Sequence, residues 1–240
     1  MHRRKLIDGV LFDKDGTLVD FHRTWVPAYL GLAADLAHIA GRPGLGSELL
    51  RRLGFDAELH RFAEDSPLLW STNGMIAAAL ARAPELAGID VHGLVEAHFR
   101  DLVRYPPQPV GDLAALFDRL HGHGLRLGLA TMDATVQAQR TAALLGIAER
   151  LQFIAGSDAG HGVKPEPGMV LAFCAACGLA PERVLMVGDT RADLEMGRRA
   201  GCGLVVAVLT GGASAAALAP HADHVLGDVG ELPDLLGLAA

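Results

Sequence analysis

A series of short apolar runs punctuates the chain: GVLFD, LRLGLAT, QFIAG, RVLMVGD and GLVVAVLT. Each ends in a polar or glycine-containing turn and is followed by a helical pattern. Continuous apolar strands of this kind are buried on both faces. The stretches VGDLAALFDRLHGHG, DATVQAQRTAALLG, EPGMVLAFCAACG and RADLEMGRRAG read as helices closed by glycine. Strand and helix in alternation predict an α/β fold, an open parallel sheet wrapped by helices with right-handed crossovers. Ligands of such sheets sit at the carboxyl ends of the strands.

From about Phe21 to Arg104 the rhythm stops. WVPAYLGLAADLAHIAG, SELLRRLG, NGMIAAALARAPELAG and VHGLVEAHFRDLV are helical in pattern, with no strand expected between them. The stiff YPPQPVG, carrying Pro106, Pro107 and Pro109, marks the return to the sheet. The expected organisation is therefore a sheet domain from residues 1–20 and 105–240, interrupted by a helical domain, 21–104.

With 240 residues, 50% of them hydrophobic and 20% charged, the chain has material for a sizeable core. No apolar run approaches the roughly 18 residues of a spanning helix, and MHRRKL passes into strand-like IDGVLF without a signal-type apolar segment. A soluble, cytoplasmic protein is expected, without a membrane partner. The formal charge of -7 offers no field for nucleic acid. An anionic ligand would have to be held by local charge. Cys174, Cys177 and Cys202 cannot close a disulfide framework, and CAAC at 174–177 lies in a helical pattern without a second ligand pair, so packed thiols are expected.

The polar residues at the strand ends carry the chemistry. Asp13 and Asp15 end the first strand, Thr131 the second, Lys164 follows the third in GVKPEPG, and Asp189 ends the fourth with Asp193 beyond it. Each has an ordinary structural reading: Thr131, Asp133 or Asp189 as a helix cap, Lys164 as a solvated loop lysine, Asp193 as a first-turn acid. In a parallel sheet, however, they converge on one edge, and together they match the needs of phosphoryl transfer. A carboxylate nucleophile divides the hydrolysis into two steps. A magnesium ion held by carboxylates, with a lysine and a hydroxyl, neutralises the phosphoryl charge. A second acid protonates the leaving oxygen and later activates water. Side chains one residue apart on an extended backbone lie on the same side, about 6.5 Å apart. Asp13 and Asp15 could thus flank one phosphoryl group, with Gly16 allowing the chain to turn beneath it. Asp189 and Asp193, four apart, share a helix face.

DKDGTL at 13–18, Thr131, Lys164 in KPEPG and GDTRAD at 188–193 resemble the four motifs of the haloacid dehalogenase (HAD) superfamily of phosphohydrolases. The first and fourth are specific; the middle two count through order and spacing. The resemblance covers the whole sheet portion and implies a Rossmann-like parallel-sheet core with an inserted all-helical cap. That cap would be of the C1 type, found in phosphoglycolate phosphatase and its relatives. It implies Asp13 as nucleophile, Asp15 as general acid/base, and Lys164 as charge-neutralising partner. Phosphate binding would fall to Gly16, Thr131, Met132 and Lys164. Magnesium would be held by Asp13, the backbone carbonyl of Asp15, and Asp189, with Asp193 bound through water or supporting Lys164. The substrate implied is a small phosphorylated metabolite, phosphoglycolate-like or a sugar phosphate, and the assembly a monomer or homodimer.

The second aspartate, Asp15, separates this chain from dehalogenases and phosphonatases, and from the DKTGT of P-type ATPases. Many relatives carry Asn after the second-motif Thr or Ser; here ATMD places Met132 and then Asp133, which loosens the substrate assignment. His22, near where sugar-phosphate mutases carry a cap histidine, keeps a mutase open. A catalytically silent protein binding a phosphorylated ligand or a partner is the alternative of a different class. His161 is expected to be a solvated loop residue, Phe21, Trp25 and Tyr29 to be core of the helical domain, and TGG at 210–212 to be a strand-to-helix turn.

Overall fold

The computed structural model describes residues 7–63, 66–69 and 71–238. It divides into two compact units, Met1–Asp20 with Pro107–Ala240, and Phe21–Pro106. Strand β1 (Gly9–Phe12) opens the first. The second contains α1 (Phe21–Ile39), α2 (Leu45–Arg52), strands β2 (Phe55–Asp56) and β3 (Arg61–Phe62), α3 (Asn73–Leu80) and α4 (Val91–Phe99). The chain then returns through α5 (Leu113–Gly122), β4 (Arg126–Ala130), α6 (Thr135–Leu144), β5 (Phe153–Ala155) and α7 (Gly168–Cys177). It finishes with β6 (Val184–Gly188), α8 (Arg191–Ala200), β7 (Leu204–Val208), α9 (Ala215–Leu218), β8 (His224–Leu226) and α10 (Leu232–Leu236).

The first unit is built on a six-stranded sheet in the order β5-β4-β1-β6-β7-β8. All its pairings are parallel. The alternation of strand side chains decides which helices pack where. Val10 and Phe12 of β1, with Leu185, Val187, Val206 and Val208, face α5, α6 and α10 through Phe117, Leu120, Ala138 and Leu232. Leu11, with Met186 and Val205, faces α7 and α8 through Phe173 and Leu194. Both faces of the sheet are thus covered, which is why these strands read as unbroken apolar runs. Strand β8 was not expected. It has three residues at the sheet edge and begins with the exposed His224, so no buried apolar run announces it.

Helix α7 carries Cys174 and Cys177, and with Cys202 they are free thiols, as expected. Burial pushes Cys202 up to about 12. Among the described residues no helix is long and apolar enough to cross a membrane.

The second unit has its own core, in which α1 contributes Phe21, Tyr29 and Leu36. Phe21 meets Phe62 at 5.5 Å, and Trp25 and Tyr29 meet Phe99 at 5.6 and 5.7 Å between ring centres. These aromatics are core, as their helical spacing predicts. The unit is not helical throughout: β2 and β3 form a two-residue antiparallel pair that aligns Phe55 with Phe62. A strand of two residues has no period for a sequence pattern to display, and the pairing is fixed instead by packing of the two rings at 4.6 Å.

Candidate active site

The register of the sheet sets the site. Phe12 lies opposite both Leu129 of β4 and Val187 of β6. The Asp13 amide continues the ladder, donating to the Val187 carbonyl at 2.9 Å, and the Thr131 amide donates to Ala155 at 3.0 Å. Asp13, Thr131 and Asp189 therefore leave neighbouring strands at one edge. Phe12 anchors this edge from below, stacked on Phe117 at 5.0 Å between ring centres.

After Asp13 the chain closes into a tight loop. The Lys14 carbonyl accepts from the amides of Leu18 and Val19, both at 2.9 Å, and the Gly16 amide donates to Val19. Gly16 sits at φ 83°, and a Cβ there would lie 2.3 Å from Asp189 Oδ2. Glycine is required on both counts. Val19 then bridges to Pro109, and the amides of Asp20 and Val110 donate to Gln108 and Leu18. The proline-rich return segment is stitched to the departing chain by this ladder.

Asp13, Asp189 and Asp193 are all buried, and one carboxylate oxygen from each lies within 4.8 Å of the others. Lys164 is buried among them, not solvated: its ammonium pairs with Asp13 Oδ1 and lies 2.6 Å from Asp193 Oδ1. That second approach is an ion pair outside hydrogen-bond geometry. Asp193 is fixed by a capping box at the start of α8, in which its side chain accepts from Thr190 and its amide donates back to Thr190 Oγ1. Burial, reinforced by Asp193 and Asp15 and opposed by Lys164, pushes the Asp13 carboxyl up to about 7. Burial and the charges of Asp13 and Asp193 likewise raise Asp189.

Asp13 Oδ2 is buried and lacks a hydrogen-bond partner among the described residues. An orphaned carboxylate oxygen beside two more carboxylates is costly unless something positive meets it. The donor set is all oxygen, so the residues fit a hard divalent cation such as magnesium.

The remaining expected residues form a second group. Thr131 is buried and its hydroxyl accepts from the Asp133 amide at 3.2 Å. Met132 beside it is half-buried. Asp15 directs both carboxylate oxygens at Lys14, at 2.7 and 2.6 Å, and Asp133 Oδ2 lies 3.0 Å from the same ammonium. Burial opposes the charge on Lys14, but Asp133 and Asp15 outweigh it and raise the pKa. Asp133 does not cap α6: Ala134 holds that position, and Asp158 instead accepts from the Thr135 amide at 2.8 Å. His161 is exposed beside Phe153.

A family model of haloacid dehalogenase-like hydrolases matches residues 7–201. The chain belongs to the haloacid dehalogenase-like hydrolases. It is 30% identical over 215 residues to a phosphoglycolate phosphatase of Salmonella typhi, covering 84% of this chain and 81% of that one. It is 28% identical over 194 residues to an N-acetylmuramic acid 6-phosphate phosphatase of Pseudomonas putida, covering 80% and 78%. In fold it matches the crystal structure of a predicted phosphoglycolate phosphatase from Haemophilus somnus, with a TM-score of 0.71 at 20% identity, over 95% of this chain and 97% of that one. The chain is thus a phosphoric monoester hydrolase.

For a member of this hydrolase family, the TGG segment does more than turn the chain. Thr210 Oγ1 donates to the Gly16 carbonyl at 2.6 Å, across 194 residues of sequence. A Cβ on Gly211 would lie 1.8 Å from Asp189 Oδ2. Asp189 is therefore held between Gly16 and Gly211, with Thr17 Oγ1 3.5 Å from its other oxygen. Nothing local marked these two residues except their place after an apolar strand. Gly211→Ala is expected to displace the Asp189 carboxylate and lower kcat/KM on the order of 10²-fold, the scale of a misplaced reacting constellation. Steady-state kinetics beside a thermal melt would check this, and wild-type kcat/KM would show that Asp189 has room to spare.

Proposed function

We propose that this chain is a magnesium-dependent phosphatase of small phosphorylated metabolites that works through an aspartyl-phosphate on Asp13. One observation carries the reading. Asp13 is buried with one carboxylate oxygen on Lys164 and the other without a hydrogen-bond partner, at the edge where three motifs meet. In this reading an oxygen of Asp13 attacks phosphorus, the bond to the leaving oxygen breaks, and Asp15 gives that oxygen its proton. Asp15, now a carboxylate, takes a proton from water as the water attacks the same phosphorus. Phosphate departs and Asp13 is regenerated. Lys164 offsets the repulsion between Asp13 and the phosphoryl oxygens, and Gly16, Thr131 and Met132 line the place where those oxygens would rest. Asp13, the Asp15 carbonyl and Asp189 would hold magnesium, with Asp193 supporting Lys164. When bound, the ion would neutralise phosphoryl charge that otherwise repels an anionic nucleophile.

The two relatives' names state phosphoglycolate and N-acetylmuramic acid 6-phosphate, both phosphomonoesters of carboxylic acids. A small phosphomonoester that also carries a carboxylate is accordingly the first substrate class to test. The unit 21–106 is the cap in this reading and would carry selectivity. The test is a panel of 2-phosphoglycolate, N-acetylmuramic acid 6-phosphate, hexose phosphates and p-nitrophenyl phosphate, each with magnesium or with EDTA. Phosphate release in magnesium that EDTA abolishes is expected, with a carboxylate-bearing ester turned over most efficiently. Full activity in EDTA would remove the metal from the mechanism.

A further inference from the structure

Lys14 sits between the two aspartates of the first motif, yet its ammonium serves the second of them. Its side chain is 3% exposed, lies 2.7 and 2.6 Å from the two oxygens of Asp15, and lies 3.0 Å from Asp133 Oδ2. The ammonium donates to Asp15 Oδ1 and ion-pairs with Asp15 Oδ2 and Asp133 Oδ2. The last of these comes from the loop after β4, itself pinned where the Asp133 amide meets Thr131 and the Asp133 carbonyl accepts from the Ser157 amide at 2.8 Å.

We propose that Lys14 and Asp133 are positioning residues for Asp15: Lys14 grips both oxygens of its carboxylate, and Asp133 holds Lys14 in place from the neighbouring loop. The inference rests on the reading of Asp15 as general acid/base. Asp15 is part-exposed on a loop, where a carboxylate free to rotate would seldom face the leaving oxygen. Gripping both oxygens fixes the side-chain torsions. A lysine with no second counter-charge could follow Asp15 as it moved; tied to Asp133, it cannot. The proton-transfer geometry of one motif is thereby set by another.

The experiment compares p-nitrophenyl phosphate, whose leaving group departs unaided, with an alkyl phosphate, whose leaving group needs a proton. Asp15→Asn is the reference and should lose far more kcat/KM, which reports the step in which the leaving oxygen departs, on the alkyl ester than on the aryl ester. Lys14→Met should show the same split at smaller size, on the order of 10- to 10²-fold in kcat/KM for the alkyl ester, with kcat/KM for the aryl ester within about threefold of wild type. Asp133→Asn should shift in the same direction by less. The double variant should be no worse than Lys14→Met, because the two act through one contact. Equal losses in kcat/KM on both substrates, or an unaffected Asp133→Asn, would overturn the proposal. Should Lys14→Met fail to fold in a thermal melt, Asp133→Asn decides by the same criteria. An Asp15→Asn variant without the split would instead overturn the role given to Asp15.

Discussion

Asp13→Asn is expected to abolish turnover of every substrate, with a loss on the order of 10⁴-fold or more. The amide cannot supply the anionic oxygen that attacks phosphorus, so no covalent phosphoprotein should form. The defect should not depend on the leaving group, which distinguishes it from any loss at Asp15. Quenched-flow trapping with labelled substrate, and mass spectrometry to locate the phosphoryl group, measures this. Label on Asp15, or turnover without deamidation back to Asp, would show that the pair has been assigned backwards. The same variant should be more stable than wild type in EDTA at pH 8. Burial pushes the Asp13 carboxyl up to about 7, against an ordinary 3.8. Between those values the folded chain binds a proton at Asp13 that the unfolded chain has released, so the contribution of Asp13 to wild-type stability falls as pH rises from about 4 to about 7. Asparagine has no proton to lose. The stability gap in favour of the variant should widen across that range and level off above it, and denaturant melts at pH 4, 6 and 8 would follow it. A gap that shrinks with rising pH would mean that Lys164 more than repays the burial of Asp13.

Lys164→Met should lose on the order of 10²- to 10³-fold in kcat/KM, the scale of removing one preorganised contact to developing charge. The reason is visible in the cluster. Lys164 is the cation that meets both Asp13 and Asp193, and without it three buried carboxylates share a few ångströms of space. Removing one partner of a buried charge network typically costs about 3–5 kcal/mol. A lower melting temperature in EDTA is therefore expected, and magnesium should recover more of the loss than it adds to wild type, because a bound cation replaces the missing positive charge. Activity within about threefold of wild type would make Lys164 a structural counter-ion with no part in the reaction.

Much of this was legible because it is local. The alternation of buried strands and helices shows in runs such as RVLMVGD, since a strand covered on both faces has no polar alternation to hide it. The acids at the strand ends follow from the same pattern, because a parallel sheet delivers every carboxyl end to one edge. From order and residue type alone, Asp13, Thr131, Lys164, Asp189 and Asp193 belong there, and the phosphoryl transfer proposed for them would explain their combination. Phe21, Trp25 and Tyr29 were readable as core from their helical spacing.

What the tertiary structure decided is everything that depends on which loop lies beside which. Nothing in their own segments links Lys14 with Asp133, and Asp133 has an ordinary local reading as a helix cap. They meet because β1 and β4 are paired in a register that sets Phe12 opposite Leu129. Thr210 reaches Gly16, and Gly211 abuts Asp189, only because β7 lies beside β6 with Ala207 opposite Gly188. The strand β8 and the pair β2 and β3 are too short to carry a period of their own and exist through the neighbours they pair with. Local patterns declare how a segment folds, since periodicity and capping act within a few residues. Contacts across 194 residues are set by strand order and register, which belong to the packed sheet and not to any one segment.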